Sequence, residues 1–291
     1  MDRRITPARN DLAADWLRNH VKAGQYVSGA PRTVIRDGAP LHFVPDQNAG
    51  LESQLIYGEI FQVYEDRDGW CWGQNLTDSY VGYVPTAHLA ADLPAPDHQV
   101  IALRSHLYVE PNIKRPTAGT ISISARVKVV DVSGPFCRIA TGHWMHSRHL
   151  VRLEYGTQDI VGTAIKFIGV PYLWGGRSAK GVDCSSLVQI ALAMAGVSVP
   201  RDSDLQESSV GVEVPMDDGG DYSRIKEGDF VFFPGHVGLF MDDWRFLHAN
   251  AFDMQVSLHG FSDVLDRSKS ENAGVTSIRR LTPSTRSSRH D

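Results

Sequence analysis

At 291 residues, with 42% hydrophobic and 22% charged side chains, the chain is long enough for two or three small globular domains, and its composition is neither disordered nor collagen-like. The formal net charge is −5 and Lys and Arg are scattered rather than clustered, which leaves no electrostatic footprint for nucleic acid or an anionic membrane. Small or neutral partners are therefore expected.

The N-terminus, Met1-Asp2-Arg3-Arg4-Ile5-Thr6-Pro7, lacks the apolar run of about 7–15 residues that a secretory signal requires. No later stretch approaches the ~20 apolar residues that span a bilayer. Cys71, Cys137 and Cys184 are far apart and odd in number, without a CxxC pair for structural zinc, so a reducing, cytoplasmic setting is expected. Residues 1–24 are predicted to hold a short helix through residues 11–17.

From residue 25 the texture changes to short β-rich runs. Ile60-Phe61-Gln62-Val63-Tyr64 and Trp70-Cys71-Trp72-Gly73 are separated by the turn signal Asp68-Gly69, and Tyr80-Val81-Gly82-Tyr83-Val84-Pro85 closes the series. These spacings predict a small antiparallel barrel over residues 25–93. Pro94-Ala95-Pro96 reads as a linker, and a second β-rich unit of similar size follows over residues 98–152. Its cluster of His143, His146 and His149 is not read as a metal site.

Beyond residue 155 the pattern becomes mixed. Residues 160–168 carry apolar side chains at helical spacing, and residues 184–195 form an Ala/Leu-rich helical run. Residues 229–233, 237–241 and 246–249 read as successive buried strands, so the region 155–281 is expected to be an α+β layer. The tail 282–291 has nothing to bury and is expected to be loose.

The chemistry concentrates on Cys184. A buried free cysteine is ordinarily a small hydrophobe. Here, however, Gly181 and Asp183 read as a turn and N-cap, so the sulfur stands at the positive end of a helix, with Ser185 and Ser186 beside it. Such a place is poor for hiding an apolar side chain and good for presenting a thiolate, so Cys184 is read as a nucleophile. His236, in Gly235-His236-Val237-Gly238 at the mouth of an apolar strand, is the candidate base. His248, in Phe246-Leu247-His248-Ala249, is either a satisfied core histidine or the residue that orients the His236 ring. The other ten of the 12 histidines show no such pairing.

The segments Gly169-Val170-Pro171-Tyr172-Leu173-Trp174-Gly175-Gly176, Asp183-Cys184-Ser185, Pro200-Arg201-Asp202-Ser203, residues 227–233, residues 235–238 and His248-Ala249 together resemble the NlpC/P60 family of papain-like cysteine peptidases acting on bacterial cell-wall peptides. The match spans about residues 155–281 with its motifs in order. The resemblance implies Cys184 as nucleophile, His236 as general base and acid, and His248 as orienting residue. The family's usual Asp-Cys-Ser-Gly is here Asp-Cys-Ser-Ser, so Ser186 departs from the pattern.

The preceding β units resemble bacterial SH3 domains. The expected architecture is thus two SH3-like barrels followed by an α+β papain-like domain. This layout resembles the γ-D-glutamyl-L-diamino acid endopeptidases, which implies hydrolysis after L-Ala-γ-D-Glu in murein tripeptides or tetrapeptides with a free N-terminal L-Ala, in cell-wall peptide recycling. A substrate ammonium needs a carboxylate in a tight pocket, and Asp202 with Ser203 can supply a charge and an acceptor.

Tyr80 matches the barrel tyrosine that reaches the active site in those relatives, although a strand aromatic is ordinarily core; Glu52 is a second candidate contact to the amine. Tyr172 and Trp174 border the cleft in the family, and the two glycines after them suggest close approach of a ligand backbone. Asp183 and Ser185 flank the thiol. The Cys184 N–H with the Tyr172 hydroxyl is the expected oxyanion stabiliser. No metal or organic cofactor is called for. The competing readings are a wall-binding SH3 module with little hydrolysis, and an amidase of another Cys/His family.

Overall fold

The computed structural model describes residues 1–155, 157, 159–216 and 222–282. The chain divides into two compact units, Met1–Tyr155 and Gly156–Asp291. The tail expected to be loose lies outside the described residues from 283 onwards.

The first unit is almost wholly β. The helix expected through residues 11–17 is absent. Leu12–Ala14 is a strand paired in parallel with Gln25–Val27, followed by a single 3₁₀ turn, Asp15–Leu17. The helical spacing of Leu12, Ala13, Trp16 and Leu17 misleads because Trp16 points to solvent, 59% exposed, while Leu12, Ala13 and Ala14 are all buried in succession. The chain instead doubles back, with Gly24 and Gln25 donating their N–H groups to Asn10 and Asp11.

Seven strands then form one antiparallel sheet, in the order Leu51–Leu55, Ala39–His42, Val81–Pro85, Trp70–Asn75, Ile60–Arg67, Ala30–Val34, Leu89–Ala90. The predicted turn between Arg67 and Trp70 is a tight hairpin in which both central residues, Asp68 (φ 51°) and Gly69 (φ 82°), are left-handed, as a twist-matched two-residue loop requires. Val34, Leu41, Leu55, Phe61, Cys71 and Val84 are fully enclosed in the core of this sheet.

The later β region contains a five-stranded sheet, in the order Thr117–Ser122, Arg104–Tyr108, Trp144–His146, Phe136–Ile139, Val129–Ser133, and a three-stranded sheet built on His98–Val100. Residues 94–96, expected as a linker, do not hold the two β regions apart. The Asp37 carboxylate accepts from the Ser122 N–H (2.9 Å) and hydroxyl (3.0 Å), and the Arg126 N–H donates to the Tyr57 carbonyl. A β-carbon at Gly58 would lie 1.9 Å from the Arg126 carbonyl oxygen, so the two backbones are packed directly on each other.

The second unit follows the expected α+β order. Helices Ile160–Ile165, Cys184–Met194 and Ser203–Ser209 precede all six strands of an antiparallel sheet, ordered Val212–Glu213, Ser277–Arg280, Phe230–Phe233, His236–Met241, Arg245–Asn250, Gln255–Gly260. A further helix, Phe261–Ser270, seals one face with Phe261, Val264 and Leu265. In Cys184–Met194 every residue but Ala193 is buried, as befits a helix that is apolar on all sides. It packs against His236–Met241 and Arg245–Asn250, which brings its first turn to the strands that carry both candidate histidines.

Candidate active site

Cys184 is the first residue of its helix, and the turn before it is built to hold it there. Asp183 is the N-cap: its Oδ1 accepts from the Ser186 N–H (2.9 Å), and Ser186 Oγ accepts in return from the Asp183 N–H (3.0 Å). The serine that departs from the family pattern is thus half of a reciprocal capping box that satisfies two otherwise orphaned donors. The remaining capacity of Asp183 is taken by the Gly175 N–H (2.9 Å) and by Arg201, whose two terminal nitrogens lie 3.0 and 2.5 Å from the carboxylate oxygens. Arg201 also donates to Ser185 Oγ (2.8 Å).

Asp183 and Ser185, expected at the substrate, are therefore turned into the scaffold: both are buried, and their polar atoms are engaged by the arginine and the helix start. The guanidinium and the backbone donors hold Asp183 below the usual carboxylate range against the effect of burial.

The two glycines after Trp174 also serve the chain itself. Gly175 is left-handed (φ 74°) and gives its N–H to Asp183, and a β-carbon on Gly176 would meet the Gly181 carbonyl oxygen at 2.5 Å. Close approach is required here by the protein's own backbone. Tyr172 is half-buried and Trp174 is 70% exposed. Burial, with the charge that would develop on Cys184 and the standing negative charge of Asp183, pushes the Tyr172 hydroxyl up to about 12, so it stays protonated at neutral pH.

Cys184 is 8% exposed, and the backbone N–H groups of Val237 and Ser185 face its sulfur. The Val237 contact places the sulfur beside the first turn of the strand that begins with His236. The electrostatics differ from the expected preformed thiolate. Burial pushes the Cys184 thiol up to about 12, Asp183 adds repulsion, and the two N–H groups and Arg201 only partly oppose this. Burial likewise pulls His236 down to about 4. Burial thus favours the neutral form of both the thiol and the imidazole in the resting chain.

His236 Nε2 lies 2.8 Å from His248 Nδ1, which leaves His236 Nδ1 for other work. His248 is 3% exposed, and burial next to two other imidazoles pulls it down to about 2. It continues the chain: His248 Nε2 lies 3.0 Å from His259 Nδ1, and His259 Nε2 lies 2.8 Å from Asp253 Oδ2. The expectation that no other histidine joins such a pairing is thus corrected. The signal lay in the hairpin. Ser257 and His259 alternate with Val256 and Leu258, and the register His248↔Ser257 and Phe246↔His259 puts the polar residues on the face of His248.

Asp202 is the N-cap residue of Ser203–Ser209 and follows Arg201 directly, so the Arg201–Asp183 bridge ties it to the Cys184 turn. Asp202 and Ser203 are both half-buried. In the other unit, Tyr80 is 3% exposed and belongs to the core of the seven-stranded sheet, the ordinary place for a strand aromatic. Glu52 lies 3.6 Å from Arg3 in a partly exposed ion pair. Among the described residues, no group of three His, Cys, Asp or Glu is placed to hold a metal ion.

Residues 169–272 match the model of the NlpC/P60 family, and residues 41–89 match that of the bacterial dipeptidyl-peptidase SH3 domain. The chain carries an NlpC/P60 domain. It is 26% identical over 254 residues to dipeptidyl-peptidase 6 of Lysinibacillus sphaericus, covering 79% of this chain and 91% of that protein. It is 37% identical over 108 residues to the gamma-D-glutamyl-L-lysine dipeptidyl-peptidase of Bacillus subtilis, 34% of each chain. A crystal structure of an NlpC/P60 family protein from Bacillus cereus superposes with a TM-score of 0.73 at 20% identity, covering 87% of this chain and all of the other, which shows a shared fold. An SH3-like N-terminal domain and an NlpC/P60 catalytic domain are therefore present in this chain.

Proposed function

We propose that the protein is a cysteine endopeptidase that hydrolyses the γ-D-Glu–diamino acid bond of murein peptides bearing a free N-terminal L-Ala, within a papain-like domain preceded by two SH3-like units. The observation that carries this reading is the position of Cys184, at a capped helix start, with its sulfur against the Val237 N–H and with His236 and His248 hydrogen-bonded on the adjoining strands.

In the reaction, His236 takes the thiol proton as sulfur attacks the γ-carbonyl, and the amide bond breaks as the same imidazolium returns that proton to the leaving amine. Water then hydrolyses the thioester with His236 again as base. The developing oxyanion is met by the Cys184 N–H, one of the first-turn donors without an intrahelical partner, and by the Tyr172 hydroxyl, which burial keeps protonated.

Asp202 and Ser203, half-buried beside the Cys184 turn, are the proposed partners of the substrate ammonium. Specificity for an uncapped L-Ala supports action on peptides returned to the cytoplasm, where the alanine is free, and hence a recycling role. The relatives named as dipeptidyl-peptidases support the same substrate class.

The test uses L-Ala-γ-D-Glu-diaminopimelate and its N-acetylmuramoyl-capped counterpart with wild type and Cys184→Ala. The expected result is cleavage of the uncapped peptide alone, abolished by the substitution. Equal cleavage of both peptides removes the amine-pocket reading, and cleavage that survives Cys184→Ala removes the nucleophile.

A further inference from the structure

Beyond the pair His236–His248, the structure shows a line of groups that no part of the proposed reaction uses. His248 Nε2 meets His259 Nδ1 at 3.0 Å, and His259 Nε2 meets Asp253 Oδ2 at 2.8 Å. The carboxylate is itself held. Ser257 donates its hydroxyl to Asp253 Oδ2 (2.5 Å), Asn250 Nδ2 donates to Ser257 Oγ (2.7 Å), and the Asp253 N–H donates to Asn250 Oδ1 (2.8 Å). Asp253 and His259 are each 23% exposed in their side chains, so the line runs from the buried strands towards the surface. The Arg267 guanidinium, on Phe261–Ser270, is the further charge that faces both His248 and Asp253.

An ionised carboxylate only accepts, and with the three rings neutral this fixes the direction of every hydrogen bond in the line. His259 must donate from Nε2 to Asp253, and as a neutral ring it then accepts at Nδ1. His248 must therefore donate from Nε2 to His259 and accept at Nδ1, and His236 must donate from Nε2 to His248. The only tautomer left for His236 has its lone pair on Nδ1, the nitrogen not committed to His248. That is the form able to take a proton from a neutral thiol. No proton leaves the line in the resting enzyme. When His236 accepts one, its charge sits at the head of an array of dipoles that all point towards the Asp253 carboxylate.

We infer that His259 and Asp253 are positioning residues that fix the tautomer of His236 through His248, extending the Cys184–His236–His248 machinery to five residues. The inference rests on the reading of Cys184 and His236 as nucleophile and base. A hydrogen-bonded array of this polarity is a specific device, because reversing any one link reverses all those before it and places a proton on His236 Nδ1, facing away from His248, where a base is needed.

The experiment compares wild type, Asp253→Asn and His259→Phe by two readouts, with Cys184→Ala as control. One is kcat and KM on L-Ala-γ-D-Glu-diaminopimelate. The other is the pH profile of Cys184 alkylation by iodoacetamide, followed at that residue by mass spectrometry, which needs no peptide substrate. Asparagine keeps the size of aspartate but also offers an N–H, so it permits the reversed array.

The expected result is a fall of roughly 10- to 100-fold in kcat and in the neutral-pH alkylation rate with KM unchanged, smaller than the ~10⁴-fold loss when the carboxylate adjoining the base in a Ser-His-Asp triad is amidated. If His259→Phe does not fold, Asp253→Asn decides alone. Alkylation and kcat within twofold of wild type in Asp253→Asn overturn the inference. Should wild type alkylate readily yet cleave no murein peptide, with Asp253→Asn still slowing alkylation, the substrate reading fails while the array stands.

Discussion

Asp183 and Arg201 form the residue pair on which the geometry of the nucleophile turns. Arg201 is 1% exposed and makes two bonds to a carboxylate that also caps the Cys184 helix. Such a buried pair adds little over an apolar substitute, but removing one partner strands the other charge. Arg201→Met is therefore expected to destabilise the second unit by about 3–5 kcal/mol, measured by urea denaturation, and to lower kcat through misplacement of Cys184.

The neutral resting state of Cys184 and His236 makes a second claim at this scale. His236 acts as a base only while unprotonated, and burial pulls it down to about 4. The rate of cleavage at limiting substrate is thus expected to stay high as pH falls through 6.5 and to drop only on approaching 4. An acid limb centred at 6.5 or above overturns the neutral pair.

At the scale of elements, the sequence was legible where a single local signal decides. Asp68-Gly69 allows one kind of hairpin, and the Asp183 cap with the apolar run after it fixes where the Cys184 helix begins. What depends on register or on a distant partner was not legible. The apolar spacing of residues 12–17 fits a helix until Gln25–Val27 arrives to pair with Leu12–Ala14. His259 joins the histidine line only through the pairing of two strands across a hairpin, and Asp183 reads as a substrate contact because its partner Arg201 lies 18 residues on and only the fold brings the two together.

Gly238 tests how closely these strands are packed. A β-carbon there would meet the Phe246 ring at 2.5 Å and the Leu247 carbonyl oxygen at 2.8 Å. The carbonyl belongs to the neighbouring strand and cannot swing away. Gly238→Ala is expected to cost about 1–3 kcal/mol, as overpacking does, and to weaken the His236–His248 contact. Thermal denaturation with a parallel kcat measurement checks both.

At the scale of the molecule, the buried ionisable groups of the second unit set the pH range in which it is stable. His236 and His248 titrate lower in the folded chain than in the unfolded one, so on acidification the unfolded chain takes up protons first. The stability they confer is fully present above about pH 6.5. For His236 it is lost as pH falls towards 4, a change of at most about 3 kcal/mol, and His248 continues the loss below that.

Cys184 acts in the opposite sense. Its thiol is raised to about 12, so its contribution is fully present below about 9 and is lost as pH climbs towards 12. The unit is thus expected to be most stable between about pH 6.5 and 9, inside the wider interval, from about 4 to about 12, in which the folded chain keeps both imidazole and thiol neutral. Hydrogen-exchange protection of the Cys184–Met194 amides, corrected for intrinsic rate, reads this directly. Protection should fall from pH 6.5 to 4 in wild type and fall less in His236→Asn, whereas an equal fall in both would place the acid sensitivity on other groups.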